Sequence, residues 1–160
     1  MHPTKTKIVY CKDDNRRGTY DQTKFDFLGY EFRPRGVKNS KTGKLFMSFT
    51  AAVSATTLKA MRQRVRRMGF RKRTELKLED IAWKLNPILH GWIEYYGRFQ
   101  PSALAPLLRS VNVMLVRWAM RKYKRLHEKK TRAMNFVKGI AQKCPKLFAH
   151  WSRGMVGSFA

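Results

Sequence analysis

The chain has 160 residues, room for one domain with a small appendage, and 43% of them are hydrophobic, which is enough for a core. Lys and Arg number 35 against 10 Asp and Glu, a formal charge of +25 whose self-repulsion points to a polyanionic partner, nucleic acid before a membrane surface. No apolar run approaches the roughly 18 residues of a membrane span, and no secretory leader opens the chain, so a cytoplasmic protein is expected.

Residues 1–53 read as β. Lys7–Cys11 is a short strand and Asp13-Asp14-Asn15-Arg16-Arg17-Gly18 a polar turn. Phe25–Phe32 alternates as a strand that Arg33-Pro34-Arg35-Gly36 ends. Lys41-Thr42-Gly43-Lys44 is a second turn, leading into a strand at Leu45–Phe49, and these two strands pair as a hairpin. Three short strands cannot bury both faces unaided, so the following helices or another partner must cover one.

Residues 54–143 read as helical. A first helix runs from about Thr56 to Met68, capped by Ser54 or Thr56 and stopped by Gly69. Its apolar stripe is Leu58, Met61, Val65 and Met68. A second helix starts near Leu78, with Glu79 and Asp80 in its first turn, and carries Ile81, Ala82, Leu85, Ile88, Leu89, Trp92, Ile93 and Tyr96 at helical steps. Asn86-Pro87 falls inside it, which predicts a kink or break, and Gly97 and Pro101 close it. A third helix spans about Ser102–His127, with Leu104, Leu107, Leu108, Val111, Leu115 and Trp118 inward and Pro106 tolerated in the first turn. A fourth covers roughly Arg132–Lys143, using Met134, Phe136, Val137, Ile140 and Ala141. Cys144-Pro145 ends it, and residues 144–160 form a tail with a last aromatic patch at Leu147–Trp151. The fold class is therefore α+β: a small antiparallel hairpin region, then a three-helix bundle with a helical extension.

Two cationic clusters stand out. Arg62, Arg66, Arg67, Arg71, Lys72 and Arg73 lie at the end of the first helix and just beyond it; Arg121, Lys122, Lys124, Arg125, Lys129 and Lys130 lie at the end of the third. In an up-down-up bundle these two helix ends lie together, so both clusters can serve one RNA-binding surface. Trp92, Tyr96 and Trp118 fall at core spacing, whereas Tyr95 and Tyr123 lie off the stripes and are candidates to stack on bases. Cys11 and Cys144 lie far apart and read as free thiols. His2, His90, His127 and His150 have no metal-ligand spacing.

The stretch Leu85-Asn86-Pro87-Ile88-Leu89-His90-Gly91-Trp92-Ile93-Glu94-Tyr95-Tyr96-Gly97-Arg98-Phe99 resembles the centre of the maturase-specific region (domain X, or thumb) of group II intron reverse transcriptases. Phe25-Asp26-Phe27-Leu28-Gly29-Tyr30-Glu31-Phe32-Arg33-Pro34 is similar to the primer-grip block of these enzymes, Pro3-Thr4-Lys5-Thr6-Lys7-Ile8 to the end of the block before it, and Lys130–Trp151 to their tail. In the family the Leu-Gly turn of the grip sets backbone against a primer end, which implies that role for Phe27, Leu28, Gly29 and Tyr30; an edge-strand bulge at Gly29 is the structural alternative. The resemblance implies intron RNA as partner, support of splicing, and template–primer contact in an intact enzyme. The polymerase carboxylates of the family precede the part that this chain resembles, and Asp13-Asp14 sits in turn chemistry. No catalytic residue and no cofactor is therefore expected here, Mg²⁺ belonging to the intact polymerase. A C-terminal fragment of such an enzyme, a subunit of a split one and a mobile-element remnant are the alternatives this leaves.

Overall fold

The computed structural model describes residues 8–16 and 18–154. It divides at Thr57 into a sheet unit, Met1–Thr57, and a helical unit, Leu58–Ala160.

The sheet unit holds three antiparallel strands in sequential order: β1 (Phe25–Phe27), β2 (Tyr30–Lys38) and β3 (Leu45–Val53). The Phe25–Phe32 stretch is thus not one strand. Leu28 and Gly29 both have positive φ, 49° and 81°, and form a two-residue hairpin turn whose twist matches that of its strands. Nor does Arg33-Pro34-Arg35-Gly36 end β2, which pairs with β3 from Tyr30↔Val53 to Lys38↔Leu45. Pro34 is accommodated because β1 stops opposite Phe32, leaving β2 a neighbour on one side only at that point. The β2–β3 turn is held by Asn39, whose Oδ1 accepts the Lys41 and Thr42 N–H groups at 2.8 and 3.1 Å, and by Gly43 at φ 71°.

Strand periodicity sorts the faces. Phe25, Phe27, Tyr30, Phe32, Met47 and Phe49 share one face, where Phe25 stacks on Phe32 at 4.7 Å. Glu31 lies on the other, pairing with Arg33 at 2.9 Å and Arg35 at 3.1 Å. The strand expected at Lys7–Cys11 does not form at Ile8–Cys11, and Lys7 lies outside the described residues, as does the Pro3–Lys7 stretch. Tyr10 instead donates its N–H to the Gln22 carbonyl at 2.8 Å and stacks on Tyr20 at 3.8 Å.

Helix α1 (Ala55–Arg67) begins at Ser54, whose Oγ accepts the Thr57 N–H at 3.2 Å. A 3₁₀ turn at Phe70–Lys72 follows, then α2 (Leu78–Tyr96), where the Asp80 carboxylate accepts the Lys77 N–H at 2.8 Å. The break expected at Asn86-Pro87 is absent. The carbonyl of Trp83, which loses its i+4 donor to Pro87, lies on the exposed side, where water can replace the bond. Asn86 is fastened instead to a distant segment: Nδ2 donates to the Leu147 carbonyl at 2.9 Å, and Oδ1 accepts the Ala149 N–H at 3.0 Å.

Helix α3 (Ala105–Lys122) follows a 3₁₀ turn at Pro101–Leu104 and is shorter than its periodicity suggests. Tyr123 turns extended, a second 3₁₀ turn occupies Lys124–Leu126, and α4 covers Lys130–Lys143. The third helix stops because Tyr123 swings its ring between Trp118, 6.0 Å away, and Phe136, 5.2 Å away. That places Tyr123 in the packing rather than among the stacking candidates. Along α3, Leu107, Val111, Leu115, Trp118 and Ala119 are buried, making it the centre of the helical unit. Phe148, Ala149, His150 and Trp151 are equally buried, so the last aromatic patch is core. Trp92 and Tyr96 are only half-buried; Arg64 stands over the Trp92 ring at 5.9 Å.

Candidate nucleic-acid interface

The α1 stripe anchors the helix through Met61 and Val65 and turns Arg62 and Arg66, four residues apart, toward a common side. Gly69, in the left-handed region at φ 68°, then redirects the chain, and Phe70 plugs into the core at 2% exposure. Arg71 and Lys72 are left projecting. Opposite them, α3 presents Pro106, Arg109, Ser110, Val113, Met114 and Arg117 at helical steps. Between these walls lies a groove of about 590 Å³. Its floor is apolar: Val65 and Phe70 are buried, Val113 and Met114 half-buried. Its rim carries Arg62, Arg66, Arg71, Lys72, Arg109 and Arg117, with no carboxylate among the lining residues.

Four of the first cluster's six cations, Arg62, Arg66, Arg71 and Lys72, thus meet in one groove. Arg67 and Arg73 are exposed outside its lining. Arg109 and Arg117 escape a search for charge runs because each is isolated among apolar residues. Their spacing of eight, with Val113 midway, is the signal that places them on one face.

The second cluster is less uniform. Lys122 donates to the Thr74 and Leu76 carbonyls at 2.7 and 2.8 Å and lies 5.5 Å over Trp118, whose Nε1–H donates to the Arg73 carbonyl at 3.1 Å. Lys122 therefore ties the end of α3 to the loop that follows the first cluster. Arg125 caps the Phe136 ring at 5.6 Å. Arg121, Lys124, Lys129 and Lys130 are exposed. Lys129 and Lys130 stand at the N-terminus of α4, whose first turn holds no acid. Positive charge there opposes the helix dipole, an arrangement that an anion relieves. Tyr95 is 47% exposed and Trp83, off the stripe of α2, is 77% exposed.

In the sheet unit, Leu28 and Gly29 form the tip of the first hairpin, with Phe27 and Leu28 exposed and Tyr30 buried. The Gly29 carbonyl accepts the Ser54 N–H at 2.9 Å. Asp13 is held in its turn: its carboxylate accepts the Asn15 N–H at 3.0 Å and pairs with Arg16 at 3.4 Å. Among the described residues, no group of three or more His, Cys, Asp or Glu could hold a metal ion, and no helix is long and apolar enough to cross a membrane. Cys11 and Cys144 are free and exposed.

Residues 58–136, which contain both walls of the groove, match the family model of the group II intron maturase-specific domain. No curated protein and no solved structure matches the chain.

Proposed function

We propose, from the premise that residues 58–136 carry a group II intron maturase-specific domain, that this chain binds group II intron RNA and supports its splicing. The observation that carries this reading is the groove between α1 and α3, with six cations on its rim and no carboxylate among them. A lone charge run is stable on any solvated surface. Six like charges converging on one concavity repel one another, and a phosphate backbone removes that cost. The exposed cations of the second cluster extend the same attraction beyond the groove. Folded RNA, which offers backbone, shape and unpaired bases together, suits such a surface better than a uniform duplex.

The hairpin tip Phe27–Tyr30 supports a second element of the reading, contact with a template–primer in an intact polymerase. The tip is narrow, and two of its side chains are exposed. The chain on its own is read as an RNA binder.

The test is binding of the purified chain to a group II intron RNA and to an unrelated duplex across a salt series, beside the splicing rate of that intron with and without protein. Each phosphate neutralised contributes about 0.7–0.9 to the slope of log affinity against log salt. A steep slope, tighter binding to the intron and faster splicing are expected. A shallow slope with equal, weak binding to both RNAs would remove the reading.

A further inference from the structure

We propose that the groove between α1 and α3 holds unpaired nucleotides of the RNA, with a base on its apolar floor and the flanking phosphates on its arginine rim. This rests on the RNA-binding reading above and names the form of RNA recognised.

Two observations narrow the ligand. The first is size. About 590 Å³ lies within the roughly 300–1,000 Å³ of small-ligand sites, room for one or two nucleotides but not for a helix to enter. The second is the split between floor and rim. A double helix would lay phosphates on the rim and leave the half-buried Val113 and Met114 of the floor facing water, since its bases are stacked inside. A free anion would likewise leave the apolar floor unused. An unpaired nucleotide uses both: its flat base covers apolar surface while its phosphodiesters meet guanidinium groups, which also stack on base planes. The rim is two-sided. The lining cations come from both elements, Arg109 and Arg117 from α3 and Arg62, Arg66 and Arg71 from α1 and the turn after it, so a strand that crosses the groove meets charge from each.

The experiment uses the full chain and two RNA hairpins. One carries a two-nucleotide bulge containing 2-aminopurine, and the other has the same stem fully paired. Wild-type protein is expected to bind the bulged RNA about tenfold more tightly and to change the fluorophore's emission. Arg109→Gln with Arg117→Gln, on exposed positions, should remove most of that preference. Val113→Phe, which fills the floor and leaves every charge in place, should do the same and abolish the fluorescence change. Lys124→Gln with Lys129→Gln, outside the groove, should weaken both RNAs and keep their ratio. A bulge preference unchanged in both groove variants overturns the proposal, as does a wild-type chain that binds both hairpins equally with a steep salt slope. A wild-type chain that binds neither hairpin nor intron RNA overturns the proposed function itself.

Discussion

His150 lies fully buried, with Nε2 2.7 Å from Asn112 Oδ1, and the Trp151 indole Nε1–H donates to that same oxygen at 2.8 Å. An indole nitrogen only donates, so the Asn112 atom is an acceptor and His150 must carry its proton on Nε2. Nδ1 then has no hydrogen-bond partner among the described residues. Burial pushes the imidazole pKa from 6.5 down to about 3. The folded state therefore binds this proton less readily than the unfolded state does. Stability from this group is complete above pH 6.5 and is lost progressively as pH falls toward 3. Between pH 7 and 5 the loss is on the order of 2 kcal/mol. Thermal melts should show it, and His150→Gln should flatten the dependence across that window while lowering stability at pH 7. The tryptophans separate in the same way. Trp118→Ala, at a fully buried site, should cost about 3–5 kcal/mol. Core spacing suggested the same for Trp92, but that ring is half-exposed beneath Arg64, and its truncation should cost less than half as much in urea unfolding.

At the level of elements, the turn between β1 and β2 sets a non-glycine residue, Leu28, at φ 49°. Leucine there costs roughly 1 kcal/mol relative to residues that tolerate the left-handed region. Leu28→Asn should therefore stabilise the hairpin by about 0.5–1 kcal/mol, read as slower amide exchange at Phe27 and Tyr30. Loss of protection in that variant would contradict the turn geometry. The α1 start was legible in Ser54, the α2 boundaries in Asp80 and Gly97, and most of the α3 core in its leucine spacing, because these signals act within one or two turns. The breaks around Tyr123 and the continuity through Pro87 were not legible. Tyr123 bears no breaker signal, and its turn is decided by Trp118 and Phe136. Pro87 is tolerated because of which side of α2 faces outward, and distant contacts set that.

Across the whole chain, the formal charge of +25 outweighs every other compositional feature. The first basic run pointed to four of the groove's cations. Arg109 and Arg117 became visible only when helix packing set them opposite α1. Replacing Arg62, Arg66 and Arg71 with Gln should lower the salt slope of RNA binding by about two. The free protein should melt no lower, because like charges are removed. A slope that stays the same would move the RNA surface off the groove, toward the basic β2–β3 hairpin.

The fastening of residues 147–151 by Asn86 and Asn112 also bears on the order in which the protein is made. The ribosome delivers α2 and α3 before the four residues that complete their core, Phe148 to Trp151. At ~5–20 residues per second, the emerging helices spend roughly a few seconds with that core unfilled. A chain arrested before residue 148 should accordingly remain loosely packed and sensitive to protease, whereas one released after residue 151 should be resistant.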